Sequence, residues 1–391
     1  MSKKKKKKRN QKQICGADVL CAVCFLGLLL LGMTLSVVTR DIAFSAEENR
    51  SLTRRPELTW ETLSSGKYAD GVEKWLGDQF VARSLLRRLH IVERLAGGEI
   101  EAANVLLGAE GQLVEKLAVP DWERVSRNIE AMGQFAGDYP KVDCFMMLVP
   151  DSGELLRDCL PSYLNVGDQK GVLQEIHGQL SEEIHWVDGW TALYAHKRER
   201  IYYKTDHHWT TLGAYYGYEA LREAREQGNK YEDVSGEWRM ERVTDSFRGV
   251  LARNSGFAWN ETESIEIYIP AEPTPLTVTY PEEQKRSTSL YDIDKLNGVD
   301  QYAVFLGGNS ALVDIRTASE ADRTILVVKD SFANCFLPFL VQDYGEIVVV
   351  DPRYYAGSAK DVMRDFEVDE VLFLYRGNTF VQDNHLYGFL E

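Results

Sequence analysis

The C-terminal part of the chain alternates apolar strands with helices, and this pattern restricts the fold more than any other feature. Strands are predicted at 324–328 (TILVV), 347–350 (IVVV) and 370–374 (EVLFL), with helices at 331–340 and 359–366. Aliphatic runs without polar alternation indicate strands that are covered on both faces. When such strands alternate with helices, the usual result is a parallel sheet. We therefore predict an α/β fold with helices on both faces of the sheet.

The remainder of the chain is divided by the same criteria. Strands are expected at 142–149 and 184–187, a hairpin at 104–114, and helices within 66–98, at 170–180 and at 212–226. Residues 228–290 are polar with weak alternation, and we interpret them as an insertion. The predicted organisation is a basic tail (1–13), a membrane helix (14–39), a juxtamembrane linker (40–66) and an α/β domain (67–391).

Residues 19–38 form an uncharged apolar run that can cross a membrane as a helix. At ~1.5 Å per residue, a run of this length spans the ~30 Å hydrocarbon core. Residues 1–13 carry eight Lys or Arg and no acid, which favours a cytoplasmic tail and an extracellular C-terminal domain. A cleaved signal peptide is the alternative, but its apolar region is normally shorter. We therefore favour a single-pass signal-anchor.

The charge of the chain bears on its partners. The net charge is −15, and the part after the basic tail is more acidic still. Nucleic-acid binding needs clustered positive charge, so a nucleic-acid partner is not expected. The sequence contains no glycine-rich phosphate loop, and we expect no cofactor.

Six cysteines are present, and three of them, Cys144, Cys159 and Cys335, lie beyond the apolar run and its flank. An odd number does not suit a disulfide framework. A Cys144–Cys159 bridge is one interpretation, and buried free thiols are the one we favour. A structural zinc site is not expected, because this part of the sequence has no CxxC pair.

Ser331 directly follows the strand at 324–328 and its Lys329-Asp330 extension, and it opens the next helix. In open α/β sheets, sites form where the carboxyl ends of strands meet the following loops. A serine there can act as a nucleophile, with the first backbone N–H groups of the helix stabilising an oxyanion. The alternative is that Ser331 only caps the helix.

A second candidate lies in the segment Thr205-Asp206-His207-His208-Trp209. If this segment is extended, Asp206 and His208 share a face and His207 points the other way. A carboxylate beside an imidazole is the arrangement that activates a serine. A metal site made of Asp206, His207 and His208 and a structural corner around Trp209 are the alternatives; we predict no metal.

Together, Ser331, His208 and Asp206 make up a minimal catalytic triad. Asn378, at the end of the strand at 370–374, could add an oxyanion donor from its side chain. It could equally be a polar loop residue.

Several motifs resemble those of the DHHW family of membrane-bound bacterial proteins. The signature is YYKTDHHWTTLGAYYGYEAL at 202–221. Further matching segments are AEENRSLTRRPELTW at 46–60, FLGGN at 305–309, VVKDSFANCFLPFL at 327–340 and VVDPRYY at 349–355. The resemblance covers nearly all of the chain after the apolar run. The DHHW family is in turn similar to the alginate O-acetyltransferase proteins.

The resemblance implies an SGNH-hydrolase-like (flavodoxin-like) fold in which Ser331 is the nucleophile, His208 the general base and Asp206 the residue that orients it. The order of the motifs is reversed relative to ordinary SGNH enzymes, as in a circular permutation. The serine block also differs, because Lys329 stands where those enzymes have glycine. We expect four further residues of the matching segments to line the substrate pocket: Gly308, Asn309, Arg353 and Tyr354.

The expected function is acyl transfer outside the membrane, from Ser331 to a hydroxyl group of a cell-surface or secreted polysaccharide. The resemblance also implies a multispanning membrane O-acyltransferase as partner. Two alternatives stay open. The same triad with water as acceptor would make a carbohydrate esterase, and the same fold with a decayed site would make a non-catalytic glycan-binding or scaffold protein.

Overall fold

The computed structural model describes residues 16–45, 50–226, 238–257 and 261–391. The predicted basic tail lies outside the described residues, as do 46–49 and, within the predicted insertion at 228–290, residues 228–237 and 258–260. The chain divides into two compact units, with the division between Glu93 and Arg94.

The N-terminal unit is built mainly from helices. They are α1 (Gly16–Val38), α2 (Trp60–Ser64), α3 (Lys67–Gln79) and α4 (Arg83–Ala96), the last of which runs across the division, and a short ribbon pairs β1 (Phe44–Ser45) with β2 (Arg50–Ser51). Within α1, Val19–Val38 is long and apolar enough to cross a membrane. The helix expected within 66–98 is split after Gln79, and Ala82 in the break has a left-handed φ of 61°. A helix cannot continue through that conformation.

A small sheet begins the second unit. It consists of β3 (Glu101–Ala102), β4 (Val105–Leu107) and β5 (Leu113–Glu115). Strands β4 and β5 form the predicted hairpin, and both Glu110 and Gly111 in its turn have positive φ.

The second unit is organised around an eight-stranded sheet. From one edge to the other its strands are β11 (Lys285–Ser287), β10 (Leu276–Tyr280), β12 (Leu312–Thr317), β14 (Glu346–Val350), β13 (Thr324–Lys329), β15 (Glu370–Arg376), β6 (Asp143–Val149) and β7 (Ile184–Val187). The strands from β14 to β7 are parallel, whereas β11, β10 and β12 pair antiparallel.

Helices cover both faces of this sheet. One face packs against α5 (Trp122–Asp138), α7 (Gln169–Gln179), α11 (Ala359–Asp365) and α13 (Leu386–Leu390). The other packs against α8 (Gly189–Ala195), α9 (Thr211–Glu226) and two short 3₁₀ turns, Ser331–Cys335 and Leu337–Gln342. Neighbouring residues of β13 alternate between the two faces and are all buried, as the apolar pattern indicates. The predicted α/β class with a parallel centre is confirmed.

The antiparallel edge is where the structure differs from the prediction. Residues 228–290 were expected to form an insertion, but β10 and β11 continue the central sheet, and β12 was not predicted at all. These strands carry exposed polar residues, so they lack the continuous apolar signal of the centre. Within the described part of this segment, β8 (Trp238–Phe247) and β9 (Glu263–Pro270) pair in a ribbon of their own.

Short helices complete the second unit: α6 (Ser152–Leu155), α10 (Val250–Ser255) and α12 (Gly377–Phe380). The cysteines also have a clear outcome. Cys144 is buried on β6, Cys159 lies beside Gly108, and both are free thiols. The Cys144–Cys159 bridge is therefore not formed, and burial raises the pKa of Cys144 to about 12.

Candidate active site

Ser331 lies at the carboxyl end of β13, near the centre of the sheet. Asp330 fixes the turn that follows, because its two carboxylate oxygens accept the N–H groups of Phe332 (2.9 Å) and Arg376 (3.0 Å). Ser331 itself is half-buried, so its hydroxyl stays within reach of a ligand. The Phe332 N–H, which we expected to serve an oxyanion, is thus already bonded to Asp330.

The Asp206–His208 segment is a tight bend and not an extended strand. A β-bridge between Tyr202 and Trp209 closes the bend, and the Asp206 carboxylate accepts the backbone N–H of His208 at 3.0 Å. As a result, His207 does not point away from His208. The two rings lie side by side, with their centroids 4.1 Å apart. The segment is therefore not extended, and the opposite orientation of His207 that an extended chain would give is not observed.

The bend brings the predicted residues together in one hydrogen-bonded chain. Asp206 Oδ1 lies 2.6 Å from His208 Nδ1, and His208 Nε2 lies 2.8 Å from Ser331 Oγ. Asp206 and His208 are both buried, with 2% and 7% of their surface exposed. This connectivity and these distances are those of a serine nucleophile, an imidazole base and an orienting carboxylate.

Asp206 is held in place by the start of α10. Its Oδ2 accepts the N–H of Val250 at 2.8 Å, and the neighbouring Thr205 accepts the N–H of Gly249 at 2.9 Å through its hydroxyl. A Cβ on Gly249 would lie 2.3 Å from the Asp206 Cβ, so the two backbones can approach this closely only because residue 249 is glycine. Sequence reasoning did not identify Gly249.

His208 is also fixed by aromatic contacts. The ring of Tyr302 stacks on the imidazole with centroids 3.8 Å apart and planes at 11°, and the Phe332 ring lies 5.1 Å from it. Burial raises the pKa of the Tyr302 phenol well above its usual range, so this side chain stays neutral beside the site. Tyr302 was also missed by sequence reasoning, since nothing in its local sequence marks it.

The charge state of the bend follows from its surroundings. Burial alone would raise the pKa of Asp206, but the adjacent imidazoles of His208 and His207 and the Val250 N–H outweigh this effect and hold the pKa below its usual range. Desolvation and the neighbouring His208 lower the pKa of His207 well below its usual range. Asp206 therefore remains a carboxylate, and His207 is neutral near neutral pH.

Asn378 is engaged away from the serine. Its side-chain Nδ2 donates to the carbonyl of Lys116 at 3.0 Å, and its Oδ1 accepts the N–H of Ala118 at 2.8 Å. These bonds tie the end of β15 to the segment after β5. The predicted oxyanion role of Asn378 would therefore require the side chain to release Lys116.

Lys329, directly before Asp330, is fully buried at the end of β13. Its ammonium donates to the side-chain oxygens of Asn334 (2.8 Å) and Asn309 (3.1 Å) and lies 3.6 Å from Asp351. Arg353 pairs with the same Asp351 through two hydrogen bonds of 2.8 and 2.6 Å. Asn309 and Arg353, predicted to line a pocket, thus belong to one network that supports the serine turn.

The other two predicted pocket residues lie near this network. Gly308 has a φ of 107°, which favours glycine, and its carbonyl accepts the Asn334 amide at 3.4 Å. Tyr354 is exposed, with the Arg353 guanidinium 5.5 Å from its ring centroid. Contact of either residue with a substrate stays a prediction.

Replacing Lys329 with methionine should change how stability depends on pH. Burial lowers the pKa of Lys329 to about 8 although Asp351 opposes the shift, whereas an unfolded chain has a lysine pKa of about 10.4. Between these values the unfolded state binds the proton and the folded state does not, so this contribution to stability rises with pH. The free energy of unfolding of the wild type relative to Lys329→Met should therefore increase by up to roughly 3 kcal/mol from neutral pH to about pH 10.5.

Denaturant unfolding of both full-length proteins in detergent, followed by near-ultraviolet circular dichroism across this pH range, measures the difference directly. Using the difference between variants cancels the opposing effect of the buried cysteines, whose raised pKa values reduce stability as pH rises. A difference that does not change with pH would contradict a lowered pKa of Lys329 in the folded protein.

Comparison with known proteins places the chain in a family. The family model for the DHHW protein matches residues 125–350, which is more than half of the chain. The chain belongs to the DHHW family. The resemblance drawn from its motifs is thereby confirmed. No curated protein sequence matches the chain.

Solved structures similar to this DHHW chain have the same fold over most of its length. A DHHW family protein from Eubacterium siraeum is 26% identical with a TM-score of 0.63, and the match covers 74% of this chain and 95% of that one. Bacillus cereus PatB1, solved with a sulfonyl adduct, is 18% identical with a TM-score of 0.62, covering 73% and 98%. A second PatB1 structure gives a TM-score of 0.60 at the same identity, covering 73% and 99%.

The family motif also contains the alternative metal site. Asp206, His207 and His208 each offer a ligand atom, and these atoms lie within 4.8 Å of one another. Both ring nitrogens of His208 already face other groups, Asp206 and Ser331. A metal ion would have to replace one of these partners, so the geometry favours the serine triad.

Proposed function

We propose that this DHHW-family chain is a membrane-anchored acyltransferase that acts outside the cytoplasm and acetylates hydroxyl groups of a cell-surface or secreted polysaccharide. The observation that carries the proposal is the continuous hydrogen-bonded chain from Ser331 through His208 to Asp206. His208 and Ser331 are 123 residues apart in the sequence. Asp206 is held by the Val250 N–H, and the turn at Ser331 is fixed by Asp330.

The proposed reaction has two steps. In the first, Ser331 Oγ attacks the carbonyl carbon of an acyl donor while His208 Nε2 takes the hydroxyl proton, and the donor's leaving group departs with that proton. The ionised Asp206 holds the Nδ1 proton of His208 and stabilises the imidazolium. In the second, His208 removes the proton of a sugar hydroxyl, which attacks the acyl-serine and releases Ser331 with its proton restored.

The anchor and the partners complete the proposal. Helix α1 would cross the membrane with the basic tail in the cytoplasm, which follows from the charge distribution in the sequence. The active site would then lie outside the cytoplasm. The resemblance to the alginate O-acetyltransferase proteins supports a glycan acceptor and a multispanning O-acyltransferase as the source of the acyl group.

A carbohydrate esterase is the second candidate. Because Ser331 is half-buried and not sealed, water can reach the acyl-serine in place of a sugar hydroxyl. The same three residues would then perform hydrolysis, since the outcome depends on how well water is excluded.

The proposal is tested with a fluorophosphonate probe on the full-length protein in detergent. We expect one labelled peptide, containing Ser331, and no labelling of Ser331→Ala. Ser358→Ala is the matched control, because Ser358 only caps α11 and its loss should leave labelling unchanged. An unlabelled wild type would contradict the triad and favour a non-catalytic protein.

A second measurement separates transfer from hydrolysis. The wild type is given 4-nitrophenyl acetate with and without acetyl-free polysaccharide fragments, and both free acetate and acetylated sugar are quantified. Acetylated sugar that forms at the expense of acetate supports the transferase. Acetate release that no sugar changes, together with a labelled Ser331, would instead assign an esterase.

A further inference from the structure

Helix α4 (Arg83–Ala96) carries an apolar stripe on its exposed side. Leu85, Leu89 and Val92 follow one another at helical spacing, with Leu86 beside them, and all four are exposed. The buried residue of this helix is Ile91, which falls on the opposite side of the helical wheel. A helix on the surface of a water-soluble protein would normally bury the face with more apolar residues, and here that face is the exposed one.

The start of α4 is tied to the last turns of α1. The backbone N–H of Val81 donates to Ser36 Oγ at 3.0 Å, and the Phe80 ring packs against Gly32 so closely that a Cβ there would lie 2.6 Å from it. The Gln79 side chain bonds both the N–H and the carbonyl of Ile42, at 2.9 Å each. All these contacts lie within the N-terminal unit.

These contacts fix the depth of α4 relative to the apolar run. The apolar run ends at Val38, two residues after Ser36. Two residues correspond to a rise of ~3 Å along a helix axis, so Ser36 lies close to the end of the run. If α1 crosses a membrane, α4 therefore begins where the hydrocarbon core gives way to the headgroups. That boundary is where amphipathic helices bind, with their apolar side towards the acyl chains.

The charge of α4 also suits this boundary. Its first half carries Arg83, Arg87 and Arg88, and no acid precedes Glu93 in the helix. This excess of positive charge favours a position beside anionic lipid headgroups. The same unit exposes Trp60, with 82% of its surface accessible, and tryptophan is enriched at membrane interfaces.

We propose that α4 lies in the membrane interface beside the C-terminal end of α1, with Leu85, Leu86, Leu89 and Val92 inserted among the lipid acyl chains. This inference rests on α1 crossing the membrane and not on the acyl-transfer chemistry. It gives the anchored protein a second membrane contact, one that fixes the orientation of the N-terminal unit on the bilayer.

The test uses photocrosslinking of the full-length protein in vesicles of phosphatidylcholine and phosphatidylglycerol. The photoreactive residue p-benzoylphenylalanine replaces Leu89 on the stripe, Ser84 on the opposite side of α4, or Leu28 in α1. All three positions are exposed, so the replacements should not disturb folding. After irradiation, lipid adducts are detected by mass spectrometry. We expect lipid adducts at 28 and 89 and none at 84.

The other outcomes overturn the proposal in distinguishable ways. Adducts at 28 without adducts at 89 would leave the anchor intact and remove α4 from the interface. A cross-link from 89 to a second copy of the chain would assign the stripe to self-association. In whole cells, a cross-link from 89 to another membrane protein in place of lipid would assign it to that partner. An absence of lipid adducts at both 28 and 89 would contradict the membrane-spanning position of α1 itself.

Discussion

Replacing Asp206 with asparagine should lower the rate of acyl transfer by about 10⁴-fold. In the wild type, Asp206 Oδ1 lies 2.6 Å from His208 Nδ1 and accepts a hydrogen bond from it. This leaves Nε2 free to take the proton of Ser331. An amide N–H facing Nδ1 would select the other tautomer, in which Nε2 already carries a proton and cannot act as a base.

The structure leaves asparagine no orientation that avoids a conflict. Asp206 Oδ1 accepts from the His208 backbone N–H and faces Nδ1, while Oδ2 accepts from the Val250 N–H. An amide has one oxygen only. If the amide oxygen faces the Val250 N–H, the amide NH₂ group faces the His208 backbone N–H, and two donors oppose each other. If the amide oxygen faces His208, the amide NH₂ group opposes the Val250 N–H instead. A modest loss of stability should therefore accompany the loss of activity.

The measurement is the rate of acetate release from 4-nitrophenyl acetate by the full-length protein, with folding checked by circular dichroism. Asp188→Asn is the matched control. Asp188 caps α8 by accepting the Thr191 N–H at 2.9 Å, and asparagine caps equally well. It should therefore keep wild-type activity. A folded Asp206→Asn protein with unchanged activity would show that His208 is not oriented by this carboxylate.

The centre of the fold could be predicted from the sequence and its edge could not. Strands β13, β14 and β15 are covered on both faces, so their central positions (325–328, 347–350 and 371–374) are all apolar and the pattern is unambiguous. At the other extreme, β12 has exposed Arg316 and half-buried Asp314, and its partner β10 begins after a proline-rich turn. Strand β12 pairs with the edge of β14, and β10 pairs with β12. No local sequence pattern contains this information.

The candidate site shows the same division. Ser331 and the Asp206–His208 pair are recognisable because each has a local signal, a serine after an apolar strand and an Asp-x-His motif. Gly249 and Tyr302 have none, because their importance arises from contacts with residues that are distant in sequence. The bend at 204–208 has a local cause instead. Asp206 bonds its own backbone two residues on, and this local bond competes with an extended chain.

Replacing Gly249 with alanine is the second large expected effect, and it tests whether the site is held by close packing. The backbone of Gly249 has φ −72° and ψ 173°, which alanine adopts without strain, so any effect must come from the added methyl group. That methyl would lie 2.3 Å from the Asp206 Cβ and 2.4 Å from the Thr205 carbonyl oxygen. Both contacts are too short, so α10 and the bend must move apart.

We expect Gly249→Ala to lower the free energy of unfolding by about 1–3 kcal/mol, as overpacking of a close contact does. A shift of Asp206 by ~1 Å should also reduce acetate release by about 10²-fold. The carboxylate would then no longer hold both the Val250 N–H and the His208 imidazole. Gly137→Ala in α5 is the control, since a Cβ there meets nothing within 4 Å and alanine favours a helix. Denaturant unfolding and acetate release, measured on both variants, separate the two effects. Wild-type stability and activity in Gly249→Ala would mean that the contact between α10 and the bend is looser than the structure places it.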